Sequence, residues 1–152
     1  MINVTSTKAW KLIYQGSQDE FEINKFHLKV DGVLGTLVVI KTGNGDILGG
    51  YTNADWREDY SNYYKYDDKT FIFSLKNPFG ISFKSSPKDN AFAIRSSLNT
   101  LGFGNDFSFF SYKYLSGFSS LGQDFNNPYY FEYILTDSKE FQINEIEVYS
   151  SA

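Results

Sequence analysis

The segment from Thr36 to Thr52 constrains the fold of this chain most. Leu37, Val38, Val39 and Ile40 form an unbroken apolar run, and Gly43-Asn44-Gly45 follows it directly. A short run of this kind suits a strand covered on both faces. Asn and Gly tolerate the positive φ of a tight turn, so residues 46–52 are expected to return as the partner strand of a hairpin.

The rest of the chain carries the same kind of signal. Phe71, Phe73 and Leu75 alternate with Ile72 and Ser74, which predicts a strand with one strongly apolar face. Asn77-Pro78-Phe79-Gly80 punctuates it, and residues 81–84 are expected to pair back. Further strands are expected over 91–96, 106–114, 130–136 and 140–149. Phe141 and Ile143 keep period two, while Ile146 and Val148 keep it in the opposite phase. Either both faces of this last strand are covered, or a bulge at Asn144–Glu145 resets the register. Covered faces need no extra backbone event and are the expectation.

One helix is expected over residues 22–30, with Ile23, Phe26 and Val30 on one face and Asp31-Gly32 as its stop. Ser17 with Glu20 offers a capping box one turn earlier. The expected core is Leu12, Phe26, Leu37, Val39, Phe71, Phe73, Leu75, Phe107, Phe109, Phe141, Ile143 and Ile146. Many short strands and little helix predict a β-rich, two-sheet antiparallel β-sandwich flanked by a few short helices. Residues 1–9 read as a flexible N-terminal tail and residues 10–152 as a single domain.

Composition narrows function mainly by exclusion. The formal charge is −4, from 18 acidic and 14 basic residues, and no Lys/Arg run exists. A nucleic-acid binder or an anionic-membrane binder needs a clustered basic face, so neither is expected. No apolar stretch approaches a membrane span, and the first ten residues lack a signal core. With 0 Cys, disulfides, thiol redox cycles and thiolate metal sites are excluded, which fits a cytoplasmic location. Aromatics reach 19% of residues, and an aromatic-heavy core is the expected reason.

Candidate chemistry is sparse. His27 is the single histidine and falls in the helix, where packing the helix onto the sheet is its expected role. Asp59, Asp67 and Asp68 lack EF-hand spacing and read as a solvated acidic loop. No Gly-x-Ser-x-Gly is present, so a serine triad is not expected. No metal and no cofactor are expected. Glu145 and Glu147 share a strand face roughly 7 Å apart, near enough for like charge to raise one pKa in a carboxylate-pair hydrolase. The same spacing fits carboxylates that face solvent, cap a backbone junction or form an interaction surface. Gly102-Phe103-Gly104 lacks the Lys-Ser/Thr of a phosphate loop, so its glycines are assigned to a tight turn. Gly49-Gly50 is assigned to making room for Trp56 or another large aromatic. The tyrosines of residues 59–68, Tyr63 and Tyr64 among them, are candidate contact groups in a protein- or glycan-binding loop.

The ordered set of Trp10-Lys11-Leu12-Ile13-Tyr14, Gly16-Ser17-Gln18-Asp19, Phe26-His27, Gly49-Gly50-Tyr51-Thr52 with Trp56, Phe71–Leu75, Gly102-Phe103-Gly104 with Asp106, and Glu145-Ile146-Glu147-Val148 resembles the TLDc domain family. The resemblance covers roughly Trp10 to Tyr149. It implies two packed antiparallel sheets with short outer helices, and no agreed catalytic chemistry. It also implies roles in oxidative-stress resistance and in binding the peripheral sector of the vacuolar proton-pumping ATPase. Such a domain is expected to work within a longer protein or complex, at an organelle membrane only through a partner.

The chain departs from the family pattern at several positions. Gln15 or Gln18 stands where Arg is usual, Glu20 where Gly is usual, and Val30 where Cys is usual. Within the resemblance, Asp19, Asp106, Glu145 and Glu147 are candidate binding residues, because unpaired carboxylates are costly to bury and pure core does not explain them. Two alternatives stay open: a structural subunit of a larger assembly, and a carboxylate enzyme or glycan-binding sandwich.

Overall fold

The computed structural model describes residues 9–58, 63–89, 91–97, 100–110 and 116–151. The expected tail therefore lies almost wholly outside the described residues, and so does Asp59. Eleven strands and one helix follow in the order β1 Trp10–Gln15, α1 Ile23–Val30, β2 Thr36–Thr42, β3 Ile47–Thr52, β4 Tyr64–Lys65, β5 Phe71–Lys76, β6 Phe83–Ser85, β7 Ile94–Ser96, β8 Leu101–Phe103, β9 Phe107–Phe110, β10 Ser116–Ser119 and β11 Glu140–Ser151. Among the described residues α1 is the one α-helix, where a few had been expected. The β-rich antiparallel class holds.

All strands are hydrogen-bonded along the path β4-β7-β8-β9-β10-β11-β2-β3-β5-β6, with β1 on β11. The two expected sheets are therefore joined. The residues at the start of β11 pair with β10, and the remainder pairs with β2 and β1. The halves on either side of β11 share one core. The Phe103 ring of β8 lies against Gly50 of β3 and stands edge-on to Trp56.

The hairpin forms as expected, with Thr36 opposite Thr52 and Lys41 opposite Ile47, closed by Gly45 at φ 85°. Its inward phase is the reverse of the expected one. Val38 and Ile40 are fully buried, whereas Leu37 and Val39 are half-buried. Four consecutive apolar side chains leave phase undetermined, and Trp56 anchoring to Thr36 Oγ1 at 2.9 Å sets the even positions inward. On β5, Ile72, Phe73 and Ser74 are buried while Leu75 is exposed and Phe71 half-buried. Leu12 is also exposed. Phe26, Phe73, Phe107, Phe109, Phe141, Ile143 and Ile146 are core, as expected.

β11 takes the bulge. Its pairing with β2 shifts between Ile143 and Glu145, so Phe141, Ile143, Ile146 and Val148 are all buried on one side. The expectation of two covered faces is corrected: one extra residue lets a single face collect both phases. Residues 132–136 form turns instead of the expected strand. There the backbone N–H groups of Ile134 and Thr136 bond three residues back, to Phe131 and Tyr133, so they are not available to a ladder. The helix begins after Glu22, with Ser17 and the left-handed Glu20 in the turn before it, so the Ser17–Glu20 capping box does not form. Asp31-Gly32 ends it, with Gly32 at φ 81°. No helix among the described residues is long and apolar enough to cross a membrane.

Candidate functional site

Three of the four candidate carboxylates gather where the β1–α1 loop meets the bulged part of β11. Gly16 donates its N–H to Ile146 O at 2.8 Å, which fastens the loop to that strand. Glu145 Oε1 accepts the N–H groups of Ser17 and Ile146, both at 3.0 Å. The bulge frees this carboxylate from the strand face to do so. Asp19 is buried. Its Oδ2 accepts Gln15 N–H at 3.0 Å and its Oδ1 accepts Lys29 Nζ at 2.5 Å. Burial pushes the Asp19 and Glu145 carboxyls upward, but these donors outweigh it and hold both below the usual carboxylate range. Glu147 lies opposite Gln15 across β1 and accepts the Tyr149 hydroxyl, which raises that phenol to about 12. Buried Tyr14 sits beneath Asp19, Glu145 and Glu22. Burial and their charges push its hydroxyl up.

The loop itself is strained. Gly16 cannot carry a side chain, since a Cβ would lie 2.4 Å from the Phe21 ring. Glu20 and Phe21 both adopt left-handed backbone, at φ 59° and 54°. Glu20 is the position where Gly is usual in the resembled family, and left-handed backbone is the physical reason Gly suits it.

Asp106 lies elsewhere and is fully enclosed. Its Oδ2 accepts the N–H groups of Gly122, Gln123 and Phe125 at 2.8, 3.1 and 3.2 Å, and its Oδ1 accepts that of Asp124 at 2.8 Å. Asp124 reciprocates, accepting Asn105 N–H at 2.7 Å. Burial pushes the Asp106 carboxyl up to about 6 despite its four donors. Gly102 and Gly104 make this turn possible. A Cβ at Gly102 would meet Phe107 O at 2.5 Å, and Gly104 has φ 53° with Asp124 against it. Asp124 is the partner that sequence reasoning missed, because nothing in spacing links positions 105 and 124.

Gly49 and Gly50 make room for large aromatics, and these are Phe73 and Phe103 rather than Trp56. A Cβ at Gly49 would meet Val38 O at 1.9 Å and Phe73 at 2.6 Å, and one at Gly50 would meet Phe103 at 2.5 Å. Trp56 and Phe26 are fully buried and stand edge-to-face at 5.8 Å. His27 bonds Asp31 through Nδ1 at 2.7 Å and Ser97 O through Nε2 at 3.2 Å, tying the helix to the β7 end. Tyr63 is exposed. Tyr64 packs on Phe92 at 4.5 Å and donates to Asn105 Oδ1 at 3.2 Å.

Asp67 accepts Asn53 N–H at 2.7 Å and the Thr70 hydroxyl at 2.7 Å, pinning its loop onto the end of β3. Among the described residues no group of three or more His, Cys, Asp or Glu is arranged to hold a metal ion.

A comparison with curated proteins finds no match. The family model of the TLDc domain matches residues 1–151, essentially the whole chain. It therefore covers the β1–α1 loop, the Gly49–Trp56 hairpin end, the Asp106 turn and the bulged β11 together, and the chain belongs to the TLDc domain family.

Proposed function

We propose that this TLDc domain is a non-catalytic protein-interaction module whose contact edge is the corner where the β1–α1 loop meets β11. Glu145 carries the reading. It ties the loop to the strand through backbone donors, yet it remains half-exposed at a rim that also presents Glu22 and Glu147, beside Glu20 paired with Lys25 at 3.8 Å and Lys29 held by Asp19. Such a rim suits a basic partner surface. The separate donors of Glu145 and Glu147 support a contact role over an acid–base pair, because each carboxylate is already satisfied by its own neighbour.

Family membership makes the peripheral sector of the vacuolar proton-pumping ATPase the first candidate partner. In this reading the domain works in the cytoplasm, beside an organelle membrane only through that partner. A part in oxidative-stress resistance would run through the partner as well, since 0 Cys and 1 Met leave almost no oxidisable sulfur. Tyr63, with Tyr64 behind it, is a secondary contact in this reading.

The test is a Glu145→Gln, Glu147→Gln double variant titrated calorimetrically against the isolated peripheral sector at several salt concentrations. Retained stability with weaker, less salt-sensitive binding supports the contact edge. Lost stability with binding unchanged per folded molecule assigns both residues to the fold and refutes it.

A further inference from the structure

Strand β7 presents Ile94 and Ser96 to the core and Arg95 to the opposite face. Arg95 lies opposite Gly102 of β8, which places no side chain beside it. The result is a hollow of about 490 Å³ reaching across to β10, lined by Arg95, Asn105, Phe118, Gln123, Tyr133 and Lys139 among others. That volume lies within the range of small-ligand sites, roughly 300–1,000 Å³.

The cations of this hollow are underused. Among the described residues, the buried Arg95 Nε has no hydrogen-bond partner and the Arg95 guanidinium forms no ion pair. A buried donor left unmade is uncommon and costly. Lys139 Nζ stands 5.7 Å from the Phe118 ring centre and has no carboxylate partner among the described residues. Glu132 also lines the hollow, but it accepts the Ser120 hydroxyl at 3.1 Å. Two cations and one carboxylate leave a local charge of +1 in a chain whose formal charge is −4.

We propose that this hollow is a carboxylate-binding subsite, with Arg95 and Lys139 holding the anion and Phe118 and Tyr133 covering the carbon next to it. A guanidinium fork matches a carboxylate bidentately and would satisfy the orphaned Nε–H. A charge of +1 complements a monoanion better than the dianion of a phosphate monoester. The site lies apart from the acidic corner and does not rest on the function proposed above. Its carboxylate can come from a small organic acid or from an acidic residue of a peptide, which present the same chemistry.

The experiment follows the Arg95 Nε–H resonance of the full chain by NMR during titration with 3-phenylpropanoate, 3-phenylpropanol, phenyl phosphate and N-acetyl-Glu-Phe-amide. A saturable shift is expected with 3-phenylpropanoate, with binding about tenfold weaker or worse for the neutral alcohol. Tighter binding of the peptide assigns the natural source to an acidic peptide segment, and tighter binding of the free acid to a small metabolite. No saturable shift with either carboxylate overturns the proposal, and so does tighter binding of phenyl phosphate. Read instead on the side-chain amide resonances of Asn105 and Gln123, which line the same hollow, Arg95→Gln should abolish binding with the fold retained. Lys139→Gln alters an exposed side chain, so it remains readable even if Arg95→Gln fails to fold. It should weaken 3-phenylpropanoate about three- to tenfold, and an unchanged affinity would overturn the assignment.

Discussion

Replacing Asp106 with Ala removes the single acceptor group that the N–H groups of Gly122, Gln123, Asp124 and Phe125 share. Each buried donor left unmade costs about 1–3 kcal/mol, so four set a floor near 4 kcal/mol. The loop can instead open to water. That route exposes Leu121 and Phe125, both now buried, at about 1.5–3 kcal/mol each, which caps the loss near 6 kcal/mol. Removing the carboxylate also relieves a penalty. Its folded pKa of about 6 lies above the ordinary value of about 3.9, so the folded state holds the proton longer and loses stability as pH rises between those values. At pH 8 the full shift is relieved, about 3 kcal/mol, and at pH 4.5 only about 1 kcal/mol remains to be relieved. The expected net loss is therefore about 1–3 kcal/mol at pH 8 and about 3–5 kcal/mol at pH 4.5. Urea denaturation at the two pH values, with m-values compared, reads both numbers. A loss that is equal at both pH values would refute the upward push on the carboxyl. No loss at pH 4.5 would refute the dependence of the loop on Asp106.

Two further substitutions probe the backbone. Gly49→Ala drives a Cβ to 1.9 Å from a backbone oxygen in the middle of the β2–β3 pair, so it should cost about 3 kcal/mol or more, and an unchanged melting temperature would contradict that register. Glu20→Gly should stabilise by about 0.5–1 kcal/mol, because it relieves left-handed strain at an exposed position while adding Gly's own entropic cost, and a drop in the urea midpoint would show the conformation is not strained.

Turn chemistry was the most legible part of the sequence. Gly43-Asn44-Gly45, Asp31-Gly32 and Gly102–Asp106 each demanded a local backbone that only a few residue types supply, and each forms. Side-chain phase was less legible. In Leu37–Ile40 every position is apolar, so the choice of inward face fell to Trp56 reaching Thr36 across 20 residues. The Asn144–Glu145 bulge left a visible mark, the change of phase, but that mark fits two backbones equally. The β-like aromatics of residues 130–136 were misread because their N–H groups close local turns. At the acidic corner, Glu145 and Asp19 could be picked out singly, while Lys29 and Ser17 as their partners could not. The Arg95 hollow left no trace, since its walls come from β7, β9, β10, the β8–β9 turn and the long β10–β11 connection.

The position of β11 has a consequence for how the domain comes to be folded. The strand that holds both halves together is also the last of these strands to be synthesised, and its partner β1 is the first. During synthesis β2 and β10 must each wait with an open edge until Glu140–Ser151 emerges. Such long-range closure is slow, on the order of milliseconds to seconds, and unpaired strands are prone to pairing with other chains in the interval. A nascent chain stopped just before residue 140 should therefore depend on chaperones, whereas one extended well past Ser151 should close in a single cooperative step.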